Sequence, residues 1–186
     1  MPKVYIDQGH NPRNPNAGAE GNGLREQDIT YEIGSILASL LNSNPNYEAR
    51  LSRNSPTEQL GTSNASSLAA RVRDANEWGA DIFLSLHTNA YTNPSASGVE
   101  AFAYRVNSDG FRLGEDVAEQ LSLITGLENR GTFARPSLYV LRRTQMPAAL
   151  IEMGYITNPG DAALMSEQPD LFALGIYNGI MEYFGM

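Results

Sequence analysis

Lys3-Val-Tyr-Ile-Asp-Gln-Gly-His10 reads as a short strand that ends in a candidate ligand. Val4, Tyr5 and Ile6 are β-branched or aromatic and suit a buried strand, and Gln8-Gly9 then turns the chain so that His10 stands just past its carboxyl end. The same arrangement recurs twice. Asp81-Ile-Phe-Leu-Ser-Leu86 runs into His87, the only other histidine, and Ala148-Ala-Leu-Ile151 runs into Glu152. Ligands of open α/β sheets sit outside the carboxyl ends of the strands, so the pattern predicts that these three ionisable groups converge.

Between these strands the chain alternates helical and extended patterns. Ile29, Ile33, Ile36, Leu37, Leu40 and Leu41 follow the helical period up to a stop at Asn42-Ser-Asn-Pro45, with Glu26 at or just before the first turn. Tyr47 to Ser52 reads as a strand, and a helix over 67–78 with Gly79 as its cap leads into the strand before His87. A strand over 98–104 and a helix over 111–125 stopped by Gly126 come next, then two short apolar strands at 138–141 and 148–152. Asn158-Pro159 reads as an N-cap with proline in the first turn of a short helix to Met165, and a last helix is expected over 169–184. This alternation predicts a single α/β domain over residues 1–186, with a central mostly parallel or mixed sheet covered by helices on both faces.

The composition bounds the function. One domain suits 186 residues, and no apolar run is long enough to span a bilayer, so membrane insertion is not expected. A net charge of -8 and a pI near 4.7 argue against nucleic acid as partner, because a phosphate backbone repels such a surface. With no cysteine, any metal must be held by nitrogen and oxygen. The N-terminal residues enter the first strand at once, so no signal peptide is visible. Three loops near the predicted ligand ends, 11–23, 88–97 and 129–136, are rich in Asn, Ser, Thr, Gly or Arg and are expected to form polar walls of the site.

Taken singly, each candidate has an ordinary explanation. A histidine after a strand is more often a structural hydrogen-bonding residue, and an acid such as Glu26 is common where a helix starts. Glu152 is harder to explain away, because an unpaired buried carboxylate costs several kcal/mol. A nearby cation or a catalytic duty would account for it, and so would a buried arginine such as Arg71. Read jointly, two histidines and a carboxylate form a three-ligand set that leaves a catalytic zinc one open position. A second carboxylate beside them is then a natural base for hydrolysis by activated water. No His-Glu-x-x-His helix is present, and without cysteine or a Gly-x-Ser-x-Gly turn a nucleophile mechanism is hard to build.

Six stretches, in order, carry a resemblance: Ile-Asp-Gln-Gly-His10, Gly23-Leu-Arg-Glu26, Arg71 with Ala75-Asn76, Leu84-Ser-Leu-His-Thr-Asn89, Gly98-Val-Glu100 and Ala149-Leu-Ile-Glu-Met-Gly-Tyr-Ile-Thr-Asn158. Together they resemble the zinc-dependent N-acetylmuramoyl-L-alanine amidase catalytic domain over residues 4 to about 165. The resemblance implies that His10, Glu26 and His87 bind Zn2+ and that Glu152 is the catalytic glutamate. It also implies a peptidoglycan substrate, cleaved between the muramic acid lactyl group and L-alanine of the stem peptide, and action at the bacterial cell wall. Gln8 departs from the family by standing where proline is more usual. Autolysins, spore-wall enzymes and phage lysins share this pattern. Two alternatives stay open on the sequence: a zinc carboxypeptidase of the same wall, and a non-catalytic wall-binding module.

Overall fold

Alternation along the first strand sorts its side chains onto the two faces of a sheet. In a computed structural model that describes residues 1–185, β1 is Lys3–Gln8; Val4 and Ile6 enter one core and Tyr5 a second one on the opposite face. β1 is flanked by two parallel neighbours, β4 (Glu48–Leu51) and β5 (Ile82–Asn89). β5 pairs in parallel with β8 (Ala148–Tyr155), and β8 pairs antiparallel with β6 (Val99–Ala103). β7 (Asn129–Ala134) completes the edge, parallel to β6, and the six-stranded order is β4-β1-β5-β8-β6-β7. The sheet is therefore mixed, and the strand that carries Glu152 is central, as the sequence predicts, although it continues past the expected end at 152 to Tyr155.

Helices cover both faces. α1 (Glu26–Ser43), α3 (Asp109–Thr125) and α6 (Pro169–Tyr183) lie over the larger core, into which Ile33, Leu37, Leu113, Val117, Ile151, Phe172 and Ile176 are fully buried. Close approach is built in: a Cβ on Gly179 would lie 2.5 Å from Val117 Cα, so α6 can seat against α3 only with glycine there. The other face carries α2 (Asn64–Trp78) and the short α4 (Tyr139–Arg143) over Tyr5, Phe83, Ala148 and Leu150. α5 (Pro159–Glu167) follows β8, with the Asn158 side chain accepting from Gly160 and Asp161 N–H as expected of that cap.

Four local expectations need correction. Leu138–Leu141 is not a strand: α4 begins at Tyr139, turning Val140 and Leu141 inward and leaving Arg142 exposed. The stretch 129–134 is edge strand β7 rather than a loop. α2 begins at Asn64, three residues before the expected 67, because Ser63 and Ser66 form a capping box. The loop 11–23, expected to be wholly irregular, ends in a small hairpin of β2 (Glu20–Gly21) with β3 (Leu24–Arg25). Among the described residues no helix is long and apolar enough to cross a membrane.

Candidate metal centre

Glu26 is the first residue of α1 and only 3% exposed, a position that would be costly for an unpartnered carboxylate. Its partners are now visible. Oε1 accepts from Thr88 N–H at 2.9 Å and lies 3.0 Å from His87 Nδ1; Oε2 accepts from Ala19 N–H at 2.9 Å and lies 3.2 Å from His10 Nε2. Each oxygen is thus aimed by one backbone donor and faces one imidazole. The two rings meet edge to face with centroids 4.9 Å apart.

His10 stands just past the end of β1 and His87 near the carboxyl end of β5, and the rest of the structure fixes both. Arg71, 1% exposed, donates from Nη1 to Asp7 Oδ1 at 2.7 Å and to the Gln8 carbonyl at 2.7 Å, and from Nη2 to the His10 carbonyl at 2.6 Å. Ser85 Oγ donates to the other Asp7 oxygen at 2.7 Å. Burial pushes the Asp7 carboxyl up, but the Arg71 charge and the hydrogen bonds from Arg71 and Ser85 outweigh it and hold the group below its ordinary value. His10 itself sits at φ 69, a left-handed conformation that a non-glycine residue keeps only when its surroundings enforce it.

Two glycines make room. A Cβ on Gly9 would lie 2.5 Å from the Leu86 carbonyl oxygen and 2.6 Å from His87 Cε1, and one on Gly18 would lie 2.8 Å from Glu26 Oε2. Neither these glycines nor the Arg71 clamp follows from strand and helix patterns, because their roles exist only once the loops meet.

A divalent ion fits this donor set. His10, Glu26 and His87 each offer a ligand atom, and the atoms lie within 4.8 Å of one another. Donors about 2.1 Å from a shared tetrahedral ion lie roughly 3.4 Å apart, and the two imidazoles face different oxygens of the one carboxylate at 3.0 and 3.2 Å, so the three side chains already converge at the scale of a shared ion. Burial pushes His87 down, but the Glu26 hydrogen bond and charge, with Glu152 and Asp7 beyond, win and raise it above its ordinary value. Burial pushes Glu26 up, and the two histidines more than reverse this. Both shifts arise from the same cluster, in which the carboxylate and the His87 imidazole hold each other in their charged forms.

Glu152 joins the group from the adjacent strand as the register partner of His87. Arg71 is committed to Asp7, and among the described residues no cation pairs with Glu152, whose Oε2 is buried without a hydrogen-bond partner. Burial, with the charges of Glu26 and Glu100, raises its carboxyl to about 7 against the opposing pull of His87. All four sequence candidates therefore stand at one end of the sheet, three as a ligand cluster and one beside it.

Beside the histidines opens a cavity of about 220 Å3 lined by Gly9, Asn16, Leu68, Leu138, Tyr139 and Leu150 among others. Of the polar loops expected as walls, only 11–23 reaches it, through Asn16; α2 and α4 give this part of the site an apolar lining.

Known proteins share this chain's sequence and fold. CwlM, an N-acetylmuramoyl-L-alanine amidase of Bacillus licheniformis, is 33% identical over 100% of this chain and 70% of its own length. The amidase LytC of Bacillus subtilis is 31% identical over 97% of this chain, which spans only 35% of that relative's length. The crystal structure of an N-acetylmuramoyl-L-alanine amidase from Clostridium difficile 630 superposes with a TM-score of 0.87 at 29% identity, covering 99% of this chain and 97% of the other. The sequence profile of N-acetylmuramoyl-L-alanine amidases matches residues 4–182, almost the whole of the fold that holds these four side chains, and the chain belongs to that family.

Proposed function

We propose that this chain is a zinc-dependent N-acetylmuramoyl-L-alanine amidase domain that hydrolyses the amide between the muramic acid lactyl group and the L-alanine opening the stem peptide. His10, Glu26 and His87 hold the ion and Glu152 is the general base. The observation that carries the reading is the buried Glu26 carboxylate, set between two imidazole nitrogens and, among the described residues, with no lysine or arginine on it.

Zinc there would act as a Lewis acid on the scissile carbonyl and lower the pKa of water from 15.7 towards about 7. The chain's own residues supply the rest. Glu26, fixed by Ala19 and Thr88 N–H, keeps the two imidazoles facing a common point. Glu152, with one oxygen free of protein partners, takes the proton of the attacking water and returns it to the departing alanine nitrogen. With Glu26 as its one carboxylate the ion would keep a net positive charge, whereas a second carboxylate would cancel it, so Glu152 takes the part of the base. Substrate and place of action follow: peptidoglycan, at the bacterial cell wall.

Mass analysis of products from purified muropeptides tests the assignment. An amidase frees the L-alanine amine and leaves the stem peptide's carboxyl end intact. Loss of a residue from that end would make the chain a carboxypeptidase, and no cleavage by zinc-loaded protein would leave a binding module.

A further inference from the structure

Beyond Glu152 the same sheet face carries a second charged group that the reaction as described does not use. Glu100 on β6 is the antiparallel register partner of Glu152, so His87, Glu152 and Glu100 form a row across three strands. Glu100 is saturated by protein: Oε1 accepts from Arg130 Nε at 2.7 Å and Tyr155 Oη at 3.2 Å, and Oε2 lies 3.4 Å from Asn89 Nδ2.

Arg130 is placed with some care. The β6–β7 register shifts between Val99 and Ala101, so that β7 carries two residues, Arg130 and Gly131, opposite Glu100. Such a bulge re-aims a side chain. The Arg130 stem crosses Gly98, where a Cβ would lie 2.9 Å from its Cδ, and its guanidinium lies 5.5 Å from the Tyr155 ring centroid. Nε goes to Glu100 and Nη1 to the Ser97 carbonyl at 3.3 Å, while Nη2 has no partner among the described residues and the side chain is 38% exposed.

We infer that Arg130 determines specificity by binding a free carboxylate on the stem residue that follows L-alanine. This rests on the amidase reading, with Glu152 protonating the leaving amine and the stem peptide laid from β8 over β6 and β7, the side on which the row of charged groups continues beyond Glu152. Neighbouring strands are about 4.8 Å apart and an extended chain advances roughly 3.3–3.6 Å per residue. A guanidinium drawn back from β7 onto Glu100 therefore meets the peptide one to two residues beyond the scissile bond. Glu152 and Glu100 would repel a carboxylate arriving there, and Arg130 is the cation that offsets this while offering charge-assisted hydrogen bonds.

The test uses the zinc-loaded protein and two muropeptides that differ only at the second stem residue, a γ-linked glutamate with its α-carboxylate either free or amidated. Release of the alanine amine is followed as kcat and KM. The expected result is a KM at least roughly tenfold lower for the free carboxylate, and an Arg130→Gln variant whose KM for that substrate rises to the amidated value, with kcat little changed and Arg130→Lys in between. Amine release by the wild type without such a preference overturns this inference alone, as does an R130Q loss of kcat equal on both substrates, which would mark a purely structural role. No amine release from either substrate overturns the amidase reading and this inference with it.

Discussion

His87 and Glu152 are register partners on neighbouring parallel strands, β5 and β8, with their side chains on the same face of the sheet. Adjacent strands lie about 4.8 Å apart, so a group on His87 and a group held by Glu152 are within reach of one small substrate. This pairing is what turns two ordinary strand positions into a site with a basic and an acidic partner.

The division of labour between the glutamates follows. Glu152→Gln keeps size and hydrogen bonding but removes basicity, so metal content should stay near normal while kcat falls at least roughly 100-fold. Glu26→Gln should instead weaken metal binding. Metal analysis and steady-state kinetics on both variants check this; loss of zinc from E152Q together with an active, zinc-replete E26Q would reverse the roles.

Zinc uptake should be steeply pH-dependent. A metal needs neutral imidazole, and the metal-free protein holds His87 raised above its ordinary 6.5, so protons compete from above that pH downward. Affinity should fall as pH is lowered through the raised value, and zinc binding near neutrality should release protons. Calorimetric zinc titration in buffers of different ionisation enthalpy measures both; equal affinity at pH 6 and pH 8 would contradict the assignment.

Arg71 should be a stability residue first. Arg71→Met leaves Asp7 buried without its cation, a loss on the order of 3–5 kcal/mol by chemical denaturation at pH 7. The sign of the pH effect follows from the depressed Asp7 value: its contribution is full above the ordinary 3.8 and is lost as pH falls through the folded value. Denaturation midpoints of the wild type and R71M should therefore converge towards low pH, and a gap unchanged at pH 2 would refute this.

Gly9 should tolerate no side chain. The Cβ of Gly9→Ala meets the Leu86 carbonyl oxygen and the His87 ring, so backbone or ring must move, at about 1–3 kcal/mol, and zinc affinity should drop with stability. Circular dichroism melts and zinc titration of G9A check the pair of effects.

The sheet and the four side chains were legible because each signal is local. His10, His87 and Glu152 end apolar runs, and Glu26 opens a helical period, so topology alone brings them to one end. The 138–141 stretch misled because a four-residue apolar run has no period to distinguish a strand from one helical turn; burial of Val140 and Leu141 with Arg142 outside decides it. β7 was hidden because Asn129-Arg-Gly-Thr-Phe-Ala134 has few strand formers and a glycine at φ 107, and pairing with β6 supplies what propensity does not. On the sequence Arg71 is a possible partner for Glu152, yet its true partner, Asp7, depends on a packing of α2 against β1 that sequence spacing does not express.

One ion held by His10, Glu26 and His87 should be required for amide hydrolysis. The direct measurement is to chelate the purified protein, add zinc back in known amounts, and follow alanine-amine release from a muropeptide against bound metal. Activity should be absent without metal, rise in proportion to zinc and saturate at about one ion per chain, with His87→Ala neither holding zinc nor recovering. Full activity in the metal-free protein, or recovery of the His87→Ala variant alongside the wild type, would contradict it.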